Sequence, residues 1–161
     1  MRPRRSTVRH GRRHVRTQKK LTDELLRQIE RSKTPEGFLG SVADVERDLP
    51  GYLAEKLEEK GLRRSEVIRE ANLNETFGYQ IFSGQRGASR DKILALGFAL
   101  KLDLEEMRKL LNHANLGDLY SKNRRDAIII FCVSHGYSLA HTDEELYRFG
   151  EETISDDGNG A

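Results

Sequence analysis

The chain has 161 residues, 36% of them hydrophobic and 34% charged, with a formal net charge of +2. That length suits one ordinary domain and a tail. No run approaches the ~18 apolar residues that a membrane span needs. The single Cys132 rules out an internal disulfide and suits a reducing cytoplasm. The basic N-terminus is not followed by an apolar stretch, so no signal peptide is legible and a cytoplasmic location is expected.

Charge is unevenly placed. Residues 1–20 hold nine Lys or Arg and no acid, which leaves 19 basic residues against 26 acidic ones, a net of −7. "MRPRRSTVRHGRRHVRTQKK" has no apolar periodicity and repels itself, so it is expected to be disordered on its own. It reads as a non-specific phosphate-binding arm or as a solvated extension, and Val8 or Val15 could mark an alternative start.

In chain order, the pattern predicts helices throughout. Thr22 caps a helix with Leu25, Leu26 and Ile29 on one face, ending near Ser32. Thr34 and Pro35 open a second, along which Phe38, Val42, Val45 and Leu49 recur at helical spacing. Residues 21–48 are thus an N-terminal helical segment. After Pro50, "YLAEKLEEKG" at 52–61 turns Leu53 and Leu57 inward and stops at Gly61. Helices follow from about Arg64 to Ala71 and from about Glu75 to Ser83, across a short turn. Ser89 caps the next, which carries Ile93, Leu94, Leu96, Phe98 and Leu100. Asp103 and Glu106 form a capping box for a helix whose buried stripe is Leu104, Met107, Leu110, Leu111 and Ala114.

The C-terminal part, 116–154, is expected to be a helical extension packed on the 49–115 domain. "DAIIIFCVSHG" at 126–136 is β-branched enough for a strand. It reads as a helix because Asn123 can cap it, Gly136 can stop it, and a lone strand would lack a partner. Ile128 to Phe131 is too apolar for a surface helix and is expected to bury against the first two helices. A homodimer interface built from the last two helices is the alternative. Thr142 and Glu145 suggest a second capping box, opening a last helix with Leu146, Tyr147 and Phe149. Residues 155–161 should fray.

One stretch carries chemistry: "ANLNETFGYQIFSGQRGAS", residues 71–89. Two helices crossing steeply across a tight turn need a turn residue that tolerates the left-handed region and a small residue at the crossing. Asn72 meets the first need, and Leu73 can plug the core behind it. Gly78 meets the second, facing the bulky Ile68. Its glycine costs about 1 kcal/mol of helix propensity relative to alanine, tolerable if two backbones approach there. Between Lys60 and Lys92 seven basic residues stand against four acids, a net of +3 within an acidic body.

"SEVIREANLNETFGYQIFSGQRGASRDKILALGFALKLDLEEMRKLL" resembles the five-helix repressor fold of the XRE-like (lambda repressor and Cro-type) regulators. "YQIFSGQRGASRDK…LY…NRRDAIIIF…ELYRFGE" is similar to a subgroup of small bacterial XRE-like regulators. The resemblance covers about residues 49–154 and departs from the general pattern at Arg64, Ile68, Asn72 and Gly78. It implies an all-α fold: a helix-turn-helix domain with N-terminal helices and two added C-terminal helices. It further implies double-stranded DNA as partner, with the third of the five repressor-type helices entering the major groove. Asn74, Glu75, Thr76, Tyr79, Gln80 and Ser83 would then face the bases. Gln80 can bond an adenine edge, Thr76 or Tyr79 can meet a thymine methyl or a phosphate, and Glu75 accepts only from cytosine. Arg63, Arg64, Gln85, Arg86 and Arg90 would hold phosphates.

Two other readings stand beside a transcriptional regulator. Glu75 and the acidic body also suit a protein-interaction module that keeps the fold without DNA. A non-specific nucleic-acid binder acting through the tail is the third. Cys132, His135 and His141 lack the fourth ligand a structural zinc site needs, so no metal is expected. Gly84 and Gly87 do not fit a phosphate-binding loop. No catalytic constellation is visible, so neither enzymatic activity nor a cofactor is expected.

Overall fold

The computed structural model describes residues 23–38 and 48–155. The chain divides between Glu46 and Arg47 into two compact units. In the first, residues 23–31 are helical, as are 36–38. The helix at 23–31 leaves Leu26 55% and Ile29 39% exposed. Its expected cap Thr22, the positions Val42 and Val45, the basic tail and the acidic end after Ser155 lie outside the described residues.

The second unit holds α1 (Leu49–Lys60), α2 (Arg64–Glu70), α3 (Glu75–Ser83), α4 (Arg90–Ala99), α5 (Leu104–His113), α6 (Arg124–Ser134) and α7 (Leu139–Arg148). The fold is all-α, and no strand occurs among the described residues. Capping side chains set most starts. Asp48 accepts from Gly51 N, Ser89 from Lys92 N and Asn123 from Asp126 N. Asp103 and Glu106 form the reciprocal capping box. Each removes an orphan donor from a helix N-terminus. Asn72, the turn residue after α2, sits at φ 55°, in the left-handed region.

The last helix starts one turn earlier than its apparent capping box implies. Ser138 is the cap, accepting from His141 N, and Thr142 lies fully buried inside α7. The Thr142 hydroxyl instead donates to Ser138 O at 2.8 Å. The cause is tertiary: Leu139 is buried, so the turn preceding Thr142 must be helical to seat it.

α4 is the hub. Every residue from Ile93 to Leu100 is buried, so the helix has no polar face over that stretch and must be surrounded. It packs on α2, α5 and α7. At Gly97 a Cβ would run into the Met107 thioether, which brings α4 and α5 together. α1 lies across α3 and α5. There Tyr52 donates to Glu106 O at 2.9 Å, and burial pushes its phenol up to about 12. Lys56 is buried beside it and bonds Glu59 at 2.7 Å and Glu106 at 3.3 Å.

α6 and α7 pair with each other and rest on α5 and α4 respectively. Ile129 and Cys132 are fully buried. The expectation that Ile128–Phe131 is buried throughout is corrected: Phe131 is 50% exposed, as are Phe149 at 45% and Tyr147 at 80%. α6 presents one narrow stripe inward, and Phe131 falls off that stripe.

A charged clamp ties α6 to α4. Arg90 donates to both Asp126 oxygens at 2.9 Å, and also to the carbonyls of Gly117 and Asp118. Burial disfavours the Asp126 carboxylate, but Arg90 and the Tyr120 N–H outweigh it and hold its pKa below the ordinary value. Arg125 adds a second link, to Asp91 at 3.0 Å.

Gly78 is where α2 and α3 touch. A Cβ there would sit 2.5 Å from Ile68 Cγ2 and 2.8 Å from Cγ1. Gly78→Ala is therefore expected to destabilise by roughly 1–3 kcal/mol through overpacking, although alanine favours helix. Ile68→Ala removes the clashing atoms, so the double variant should lose clearly less than the sum of the two single losses in denaturant unfolding. Additive losses would refute the contact.

Asp126→Asn removes the carboxylate that Arg90 pairs with, while Arg90 keeps its bonds to the Gly117 and Asp118 carbonyls, and should cost roughly 1–3 kcal/mol at neutral pH. A carboxyl with a lowered folded pKa contributes stability above its ordinary pKa and loses it as pH falls through the folded value. Wild type and variant should therefore differ at pH ~7 and converge by about pH 3, as followed by urea midpoints.

Candidate nucleic-acid interface

The sequence folds α3 so that one face is buried and the other bare. Gly78, Ile81 and Phe82 point inward. Thr76, Tyr79, Gln80 and Ser83 recur at i, i+3, i+4 and i+7, the spacing of one helical face. Thr76, Tyr79 and Ser83 are exposed, as is Glu75, while Gln80 is half-buried. Asn74 is exposed too, but its side-chain oxygen accepts from Phe77 N at 3.1 Å. Its first task is thus to cap α3, which leaves its amide group for other contacts. Glu75, in the first turn, complements the positive end of the helix dipole.

Cations surround this face. Arg63 and Arg64, at the start of α2, are exposed, and the Arg64 guanidinium lies 5.3 Å from the Tyr79 ring centre. Gln85 and Arg86 are exposed in the loop after Gly84, whose left-handed φ of 78° ends α3. Arg86 and Lys92 both sit over the Phe77 ring, at 5.4 and 4.3 Å. An aromatic face positions a cation without neutralising it.

Ion pairing divides the arginines of the second unit. Arg90, Arg108, Arg124, Arg125 and Arg148 all pair with carboxylates. Among the described residues, Arg63, Arg64, Arg69 and Arg86 make no ion pair. Arg90 was expected among the phosphate contacts and is corrected: its hydrogen bonds to Asp126, Gly117 and Asp118 turn it toward α6. The other expected residues flank or lie on the outer face of α3.

A cleft of about 730 Å³ opens beside the N-terminal half of α3. Asn74, Thr76, Gln80, Arg86 and Lys92 give it polar walls, and Phe77 lies among them. Ile154 and Ser155 close one side. Asp143 holds both of their backbone N–H groups, at 2.6 and 3.1 Å, and Arg125 holds the carbonyls of Glu152 and Thr153. Lys92, Phe77 and this strap were missed as site residues. Phe77 reads as core, and nothing local in the sequence brings residue 154 to the turn after α2.

His135 and His141 stack on Phe131 and Tyr137, at 3.9 and 4.0 Å, away from this face. Cys132 is buried, and burial pushes its thiol up. Among the described residues no three His, Cys, Asp or Glu gather in a way that could hold a metal ion, and no helix is long and apolar enough to cross a membrane. No family model, no curated protein and no solved structure matches the chain.

Asn74→Ala should cost about 1 kcal/mol by loss of the α3 cap. Asn74→Ser should retain most of that stability in thermal melts, because a hydroxyl can accept the same Phe77 N–H.

Proposed function

We propose that the protein is a sequence-specific DNA-binding regulator that reads the major groove with α3. The observation that carries this reading is the coincidence of two patterns. The outer stripe of α3 is polar and largely exposed, with Gln80 half-buried, and among the described residues the arginines beside it lack carboxylate partners while those of the C-terminal half are paired. A duplex supplies what both patterns want, base edges for the first and phosphates for the second. The resemblance of residues 49–154 to XRE-like regulators points the same way.

Roles follow from chemistry. Gln80 offers a donor and an acceptor to an adenine edge, and Thr76 and Tyr79 offer apolar contact to a thymine methyl. Glu75 accepts from a cytosine amino group and repels phosphate. Arg63, Arg64 and Arg86 neutralise backbone charge, with Lys92 behind them. A protein-interaction module is the second reading, favoured by Glu75 at the start of the reading helix.

In vitro selection of duplexes by the full chain should enrich a short motif. Gln80→Ala should relax preference at one base pair by ~1–3 kcal/mol. Arg86→Ala should weaken all sequences alike and lower the dependence of log Kd on log salt by about one unit. Selection that enriches no motif would sink the reading, and retained binding after removal of residues 1–20 separates it from a tail-driven one.

A further inference from the structure

The cleft beside α3 lies wholly between parts of the second unit: the turn after α2, α3 itself, the loop after Gly84, α4 and the strap. Its volume of about 730 Å³ falls within the roughly 300–1,000 Å³ of pockets that hold small molecules. Its charged lining residues are Arg86 and Lys92, and among the described residues no carboxylate lines it. Both cations lie over one ring, that of Phe77, at 5.4 and 4.3 Å. Neither makes an ion pair among the described residues. The acids nearest in the chain or the fold are engaged elsewhere. Asp91 pairs with Arg125, Asp143 holds the Ile154 and Ser155 N–H groups, and Glu75 does not line the cleft. Two like charges gathered at one low-dielectric wall reinforce each other's field in the cavity, and one anion satisfies both.

The rest of the lining sorts by chemistry. Ala71, Ala95 and Ile154 give the cleft an apolar floor. Asn74, Thr76 and Gln80 bring amide and hydroxyl donors to its wall. The Asn74 side-chain oxygen is taken by Phe77 N, so its amide N–H groups stay available. Arg and Lys beside neutral donors suit an oxyanion. Two cations favour a dianion over a monoanion. A phosphate monoester carries about −1.5 to −2 charges near neutral pH, whereas a carboxylate carries a single one. The floor calls for an apolar or planar body behind that headgroup.

We propose that this cleft binds a small organic phosphate monoester, with the phosphate between Arg86 and Lys92 and the apolar part on the floor. Thr76, Gln80 and Arg86 also serve the nucleic-acid reading. The cleft reaches past them to α4 and the strap, and its occupancy does not require that reading.

Phenyl phosphate is the probe, titrated calorimetrically into the full chain. One molecule per chain should bind. It should bind more tightly than inorganic phosphate, which lacks the apolar part, and than benzoate, which lacks the second charge. Arg86→Gln and Lys92→Gln should each raise its Kd by about tenfold or more. Thermal melts of both should stay close to wild type, because neither side chain is in an ion pair. Arg69→Gln, at an unpaired arginine outside the cleft, should leave the Kd unchanged. Asp156 and Asp157 follow the strap, outside the described residues, so a full chain carrying Asp156→Asn and Asp157→Asn is titrated too. Saturable binding to either chain supports the proposal. Three results would overturn it: no saturable binding to either chain, inorganic phosphate or benzoate binding as tightly as phenyl phosphate, or a loss in Arg69→Gln equal to that in Lys92→Gln. None of these bears on duplex selection, so the cleft and the nucleic-acid reading can fail separately.

Discussion

The second unit is organised by a missing methyl group. Because Gly78 has no Cβ, Ile68 can press against the α3 backbone, and the two shortest helices cross in near contact. That crossing fixes which side of α3 turns inward. Ile81 and Phe82 go to the core, and Thr76, Tyr79 and Ser83 are left in solvent. Any wider approach would tilt α3 and open a void beside Ile68, with the energetic penalty that unfilled core space carries. The bulky partner on α2 and the bare backbone on α3 therefore act as one unit. The same device recurs at Gly97 and Met107, where α4 and α5 meet. Two glycines thus set two helix spacings around the hub helix.

Electrostatics then divides the arginines of the second unit into two groups. Toward the C-terminal side, arginines serve as ties: Arg90 to Asp126, Arg125 to Asp91 and the strap carbonyls, Arg108 to Asp118. These ties take the place of a larger apolar core in a chain that is only 36% hydrophobic. Around α2 and α3, among the described residues, the same residue type makes no ion pair, and Arg64 and Arg86 lie over aromatic faces. A guanidinium without a carboxylate keeps its charge available to an incoming anion, and its cost in self-repulsion is small when solvated.

Much of this was legible locally. Ser89, Asp103 and Asn123 announce helix starts because a cap acts within three residues of itself, whereas Asp48 and Asn74 turn out to be caps that the sequence reading passed over. Asn72 announces the turn because few residues accept a positive φ. The size swap at Ile68 and Gly78 was readable because both lie in one short motif. What escaped depends on distant partners. Arg90 sits in a basic stretch and reads as a phosphate contact, yet its acid lies 36 residues on. Lys56 is buried by Glu106, 50 residues away. The spacing of Thr142 and Glu145 satisfies a capping rule, but burial of Leu139 overrides it. Phe131 sits in an apolar run whose composition hides that the inward stripe is narrow.

The tyrosines have a practical consequence. The chain has no tryptophan and five tyrosines, so its intrinsic ultraviolet emission comes from phenol rings alone. Tyr52 is only 4% exposed and bonded to a backbone carbonyl between α1 and α5, where its signal changes when the hub comes apart. Tyr79 stands on the outer face of α3 beneath a guanidinium, where its signal responds to whatever settles on that face. Replacing the other three with phenylalanine would leave one chromophore for folding and one for occupancy, a label-free readout built into the molecule.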